Sequence, residues 1–121
     1  VSKLKVLVVE DELIVAMDIA EQLRELGAEP VGHAKSGEQA IELAGQLSPD
    51  LVMMDVHLAS SMDGITAAQV IRDLFDIPCL FLSAFSGADS LARAQLTTPA
   101  GYLSKPFDEN ELGEALAAVA K

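Results

Sequence analysis

Apolar positions in this chain fall into two alternating patterns. Short unbroken runs suit strands buried on both faces, and longer stretches with apolar residues every three or four positions suit helices with one buried stripe. Leu4 to Val9, Leu51 to Met54 and Cys79 to Leu82 are runs of the first kind, and Ala100 to Leu103 is a shorter one. Glu29 to Ala34 also reads as a strand, and its Pro30, which has no N–H for a ladder, assigns it to a sheet edge. The first helical stretch ends near Leu26, with Val15, Ile19, Leu23 and Leu26 on one face and Gly27 as its stop. The second covers Gly37 to Leu47, with Ser36 and Gln39 as a capping pair and Ala40, Ile41, Ala44 and Leu47 inward. A third, from about Gly64 to Leu74, turns Ile65, Ala68, Ile71 and Leu74 or Phe75 toward the core. A less apolar fourth runs from about Gly87 to Gln95 and is broken by Thr97, Thr98 and Pro99. The last is capped by Asp108, with Glu111 as the reciprocal group, and runs to Val119 with Leu112, Leu116 and Val119 facing in.

Five strands alternating with five helices are the pattern of crossover connections between parallel strands. Right-handed crossovers with helices on both faces give an α/β, doubly wound, five-stranded parallel sheet. With the second strand at an edge, the expected order is 2-1-3-4-5, flanked by five helices. One domain spanning 1–121 is the expectation.

Composition narrows the functions open to such a domain. Among 121 residues, 19 are Asp or Glu and 8 are Lys or Arg, a formal net charge of -11 at pH 7. A surface of that sign repels a phosphate backbone, so direct nucleic-acid binding is not expected. Four Phe, one Tyr and no Trp imply an aliphatic core. The lone cysteine, Cys79, excludes an internal disulfide and cysteine-rich zinc patterns, and its apolar neighbours cast it as a small buried hydrophobe. No apolar stretch of about 18 residues occurs and no leader-like segment, so a cytoplasmic domain without membrane insertion is expected.

Chemistry gathers where the parallel strands end. Ligands of such sheets bind at the carboxyl ends of the strands, where the strand order reverses, here between the first and third strands. Glu10 and Asp11 close the first strand and Asp55 closes the third. Three carboxylates from adjacent strand ends repel unless a cation shields them, and an all-oxygen set suits a small hard ion such as magnesium. Taken alone, Asp55 is equally a strand-to-loop cap and the acids are ordinary surface groups. Ser83 ends the fourth strand and Lys105 follows the fifth, so a metal, a hydroxyl and an ammonium would surround one carboxylate. That set would hold three phosphoryl oxygens, with Asp55 as the nucleophile toward phosphorus. His57 offers either an influence on water access or a backbone carbonyl to the metal. His33, near the end of the edge strand, reads as structural or solvent-facing. No glycine-rich phosphate loop follows the first strand, which disfavours nucleotide binding of the dinucleotide or P-loop kind. Leu13, Ile14 and Met17 fall off the buried face of the first helix, either as a surface for a partner or as a partly buried boundary.

Glu10-Asp11, Asp55, Ser83 and Lys105-Pro106-Phe107 at these separations resemble the response-regulator receiver domains of two-component signalling, over essentially the whole chain. The resemblance implies a flavodoxin-like fold and a phosphorylation-dependent switch. Asp55 would accept a phosphoryl group from a histidine kinase or histidine phosphotransfer protein. Glu10, Asp11, Asp55 and the His57 carbonyl would hold Mg2+, Lys105 would ion-pair, and Ser83 would turn toward the phosphoryl oxygens as Tyr102 moves inward. It also implies a cis bond before Pro106. Two features depart from the commonest pattern: a longer Asp55-to-Asp63 loop without the customary proline, and Phe85 at the mouth of the site. Leu13, Ile14, Met17, Phe85, Pro106 and Phe107 are the candidate docking residues.

On this reading the domain is not an enzyme beyond accepting and slowly losing its own phosphoryl group. It acts on a downstream partner or output domain through the face of the fourth helix, fifth strand and fifth helix. It either stands alone or is a module of a hybrid kinase or larger regulator. Ala115, Ala117, Ala118 and Ala120 give the last helix a smooth face that admits packing against another helix, including that of a second copy. Two other classes compete: a magnesium-dependent small-molecule phosphatase, for which His57 is a poor match to the second carboxylate required, and an interaction module with an inert pocket.

Overall fold

Because successive side chains of a strand point to opposite faces, each apolar run feeds two cores at once. The computed structural model describes residues 3–58, 62–83, 101–104 and 107–119. Within them lie β1 (Lys5–Val9), α1 (Leu13–Glu25), β2 (Glu29–Ala34), α2 (Gly37–Leu47), β3 (Leu51–Asp55), α3 (Gly64–Phe75), β4 (Cys79–Ser83), β5 (Gly101–Ser104) and α4 (Glu109–Val119). The strands form one sheet in the order β2-β1-β3-β4-β5, and every neighbouring pair is parallel. Val6, Val8, Leu51, Met53, Leu80, Leu82 and Leu103 pack on one face with Ile19 and Leu23 of α1 and Leu112 and Leu116 of α4. Leu7, Val9, Val52, Met54, Cys79 and Phe81 pack on the other with Ala40 and Ala44 of α2 and Ile65, Ala68 and Ile71 of α3. Each buried Val, Leu, Ile, Met or Phe side chain contributes about 1.5–3 kcal/mol by leaving water, and a one-residue slip of any strand would move its whole set to the wrong face.

The expected strand order holds, whereas the expectation of five flanking helices is corrected: the described residues contain four. The fifth was assigned to 87–95, the least apolar of the helical patterns, and that segment falls within 84–100, outside the described residues. The helix after β5 is therefore α4.

Local chemistry explains most element ends. The Ser36 hydroxyl accepts from the Gln39 N–H at 3.1 Å, while the Gln39 side-chain oxygen accepts from Lys35, one residue before the expected reciprocal position. Asp63 caps α3 through the Thr66 N–H at 2.8 Å. At α4 the box closes in both directions, Glu111 N–H to Asp108 at 2.8 Å and Asp108 N–H to Glu111 at 3.2 Å. Gly27 ends α1 at φ +85°, the left-handed region where glycine alone is unstrained. Pro30 lies next to a register shift: Val6 faces Pro30 and Leu7 faces Gly32, so Val31 is the extra residue of a bulge on the edge strand. The buried stripe of α1 is Ala16, Ile19 and Leu23; Val15 is only partly buried and Leu26 is exposed, one position round from the expected face. Burial pushes the Cys79 thiol up to about 12, partly offset by Arg72, so it stays a neutral, buried group. Among the described residues no helix is long and apolar enough to cross a membrane.

Two like charges meet where α1 ends and α4 begins. A hydrogen bond with Glu109, the charge of Glu109, some loss of hydration and the charge of Asp18 raise the Glu25 carboxyl above its ordinary 4.5. An acid that binds its proton more tightly in the folded chain stabilises it at low pH and costs stability once pH rises through the raised value. Glu25→Gln, whose amide donates to Glu109 at any pH, should therefore unfold at a higher temperature than wild type at pH 7. The difference should shrink as pH falls below about 4.5. Thermal unfolding of both proteins across that range checks it, and equal melting temperatures at pH 7 would contradict the pairing.

Candidate functional site

The carboxyl ends of β1 and β3 lie side by side, Val9 opposite Met54, so the residue after each strand's last apolar position emerges at the same rim. Glu10 and Asp11 follow β1 and Asp55 ends β3, and one carboxylate oxygen from each lies within 4.8 Å of the other two. Glu10 is 1% exposed and Asp55 is 5% exposed, the two acids among the described residues drawn into the core's edge; Asp11 is half-buried. Ionised groups are rarely held that far from water without compensation.

Octahedral Mg2+ has oxygen ligands at about 2.0–2.1 Å, which sets neighbouring ligand oxygens about 3 Å apart and opposite ones about 4 Å apart. A cluster spanning 4.8 Å closes on such an ion with small side-chain movements, and an all-carboxylate set matches a hard cation. The residues fit the metal that the site implies.

Neighbouring segments hold the Asp55 carboxylate and the Glu10 main chain. The His57 N–H donates to Asp55 Oδ1 at 3.0 Å, a turn that locks the Asp55 side chain to the chain two residues on. The Val56 N–H continues the pairing with β4 through Leu82 at 2.9 Å, and the Gly64 N–H donates to the Val56 carbonyl at 3.1 Å. Gly64 thereby lies against Asp55 itself. A Cβ at Gly64 would collide with the Asp55 carbonyl oxygen and stand 2.8 Å from its carbonyl carbon and 3.0 Å from Met54 Cγ. On the other strand, the Glu10 N–H donates to the Ala34 carbonyl at 3.0 Å and the Glu10 carbonyl meets His33 Nε2 at 2.7 Å.

The remaining expected site residues divide by where they lie. Ser83 ends β4 one register position beyond Leu82, the partner of Asp55, and so reaches the same rim. Tyr102 pairs with Phe81 across β4 and β5; the rings stack at 5.9 Å and 28°, with Tyr102 38% exposed and its phenol pushed up by partial burial. Leu13, Ile14 and Met17 are exposed by 55%, 82% and 62%, beside the acid cluster, so the boundary reading gives way to an open apolar surface. Phe107 is partly buried against the α1–α4 core, which leaves only part of its ring for a partner. Phe85, Lys105 and Pro106, with the expected cis bond, lie outside the described residues.

Two positions were missed from sequence. Gly64 reads there as a helix start, although a glycine in a helix costs about 1 kcal/mol against alanine, a cost that signals close approach by another group. His33 has no such signal, because its partner is a main-chain carbonyl 23 residues away.

Known proteins resemble the chain along nearly its whole length. Residues 6–117 match the response regulator receiver domain family. The transcriptional regulatory protein PdtaR of Mycobacterium tuberculosis is 45% identical over 112 residues, 93% of this chain and 54% of that protein. The response regulator protein VraR of Staphylococcus saprophyticus is 35% identical over 115 residues, 93% of this chain and 54% of that protein. The chain thus spans about half the length of these relatives. Among solved structures, the signal receiver domain of a modulated diguanylate cyclase from Desulfovibrio desulfuricans superposes with a TM-score of 0.91 at 29% identity, covering 98% of this chain and 95% of that one. A LuxR-family response regulator from Aurantimonas gives 0.88 at 28% identity, covering 98% and 86%. The chain belongs to the response regulator receiver domain family, and with its acid cluster it is a phosphorylation-dependent signalling switch.

The contact between Gly64 and Asp55 has a measurable consequence. Gly64→Ala should push the Asp55 main chain away and weaken divalent-ion binding by about 10-fold or more, the scale for displacing groups that orient metal ligands. Gly45→Ala also meets a tight neighbour, the outer edge of the Phe75 ring at 2.9 Å, but in α2 and away from the acids, and should have little effect on the metal. Isothermal titration with Mg2+ separates the two; equal weakening by both would remove any specific role for Gly64.

Proposed function

We propose that this receiver domain accepts a phosphoryl group on Asp55 from a phosphohistidine of a histidine kinase or histidine phosphotransfer protein. The observation that carries the reading is the convergence of Glu10, Asp11 and Asp55 within 4.8 Å at the rim between β1 and β3. A carboxylate oxygen of Asp55 attacks phosphorus in line while the bond from phosphorus to the imidazole nitrogen breaks. Water later hydrolyses the mixed anhydride, which returns the carboxylate and releases inorganic phosphate. The domain's part is positioning and charge compensation rather than proton transfer. Glu10, Asp11, Asp55 and the His57 carbonyl are the groups to hold Mg2+, which when bound offsets carboxylate charge as the dianionic phosphoryl group arrives. Lys105 supplies a second positive charge, and the Ser83 hydroxyl donates to a phosphoryl oxygen.

The phosphoryl group biases a two-state equilibrium only through contacts it makes better in one state. Ser83 is the group that makes such a contact, and Tyr102, half-exposed on β5, is the ring that follows it inward and changes the face formed by β5 and α4. The open apolar residues Leu13, Ile14 and Met17, with Phe85, Pro106 and Phe107, are the surface for the partner that carries the histidine. The relatives are about twice as long as this chain and two are named as regulators, which supports a receiver module that controls an attached or separate output partner.

Incubation with Mg2+ and acetyl phosphate, read by intact mass, tests the acceptor. Wild type should gain one phosphoryl group, and Asp55→Asn, or wild type in chelator, should gain none. Equal labelling of wild type and Asp55→Asn would place the acceptor elsewhere.

A further inference from the structure

β1 hands its ladder over to the acid cluster at Glu10, and the main chain there needs partners after regular pairing stops. β1 pairs with β3 only as far as Val9 with Met54, and with β2 only as far as Val9 with Ala34. The Glu10 N–H is taken by the Ala34 carbonyl at 3.0 Å. The Glu10 carbonyl is met by a side chain instead, the imidazole Nε2 of His33, at 2.7 Å. A carbonyl only accepts, so Nε2 carries the proton and donates. Both main-chain groups of Glu10 are therefore held by consecutive residues of β2, and the direction of the Glu10 side chain into the cluster follows from that grip.

We infer that His33 is a positioning residue for the metal site: by donating to the Glu10 carbonyl it fixes the Glu10 carboxylate where it meets Asp11 and Asp55. The inference rests on the reading of these three acids as the metal-holding cluster. His33 does not itself touch the metal or the phosphoryl group. Its ring is partly exposed and lines a shallow groove of about 100 Å³ together with Val8, Leu13, Ala16, Met17 and Gly32, at the edge of the core rather than inside it. Removing the ring takes away the donor, and a variant that keeps an aromatic ring there separates that loss from any change in packing. The groove also joins the ring to the exposed Leu13 and Met17.

Three variants separate the hydrogen bond from the bulk of the ring. His33→Phe keeps an aromatic ring and loses the donor; His33→Ala loses both; His33→Gln presents an amide N–H at a similar reach. Isothermal titration with Mg2+ should show about 10-fold weaker binding for Phe and Ala, the scale for groups that orient metal ligands, and near wild-type binding for Gln. Melting temperatures in chelator should be similar for all four proteins, so that the loss is not one of folding. Wild-type affinity in His33→Phe, or failure of His33→Gln to recover it, would overturn the positioning role while leaving the metal reading in place. A wild-type chain that binds no Mg2+ would overturn both.

Discussion

Crowding of negative charge at the rim between β1 and β3 is the constraint to which the other features of this domain answer. Two unit charges 4.8 Å apart, the outer span of the cluster, repel by about 3 kcal/mol at an effective dielectric of 20, and three acids make three such pairs. Nothing local would assemble them: Glu10 and Asp11 are more than 40 residues from Asp55 along the chain. What assembles them is the apolar sheet. β1 and β3 are buried on both faces, and shifting either to separate the acids would expose a row of Val, Leu and Met side chains. The core thus holds the charges together, and the same proximity makes the site receptive to a cation and then to a phosphoryl group.

Holding the charges is different from aiming them, and aiming is done by the main chain. Asp55 is fixed by the His57 N–H on its carboxylate and by Gly64 against its carbonyl. Glu10 is fixed through its own N–H and carbonyl by Ala34 and His33. Each carboxylate so described is gripped from a different neighbouring segment, the β3–α3 connection in one case and the edge strand in the other. His33 of the edge strand lines one groove with the exposed Leu13 and Met17 of α1, so an open apolar surface lies beside the strand that grips Glu10.

Much of this was legible in the residue pattern, for physical reasons that also mark its limits. Runs such as Leu51 to Met54 declare a strand buried on both faces, and Pro30 declares an edge, so sheet order followed and with it the meeting of Asp11 and Asp55. Helix caps were readable because a cap is a local bond: Ser36 to Gln39 and Asp108 to Glu111 are each three residues apart. Ile19 and Leu23 of the expected α1 face are buried, but Ala16 replaces Val15, since both fit a stripe of that width and only the packing in the core chooses between them. Four flanking helices stand among the described residues instead of five, and the weakly patterned stretch 87–95 lies outside them. The partners of Gly64 and His33 were not legible because each is a main-chain carbonyl: a glycine opening a helix signals close approach without saying by what, and His33 read only as structural or solvent-facing.

The account turns on a folded state that keeps mutually repelling carboxylates together for a cation to bridge. Thermal unfolding of the wild-type domain in chelator and in increasing Mg2+, at constant ionic strength, reads that directly. A ligand that binds the folded chain alone stabilises it by about 2.7 kcal/mol at 100 times its dissociation constant, so the melting temperature should climb with Mg2+ and keep rising with its logarithm past the dissociation constant. A melting temperature that does not move as Mg2+ is raised would mean that the acids are not a cation site, and the explanation of why this sheet brings them together would fall.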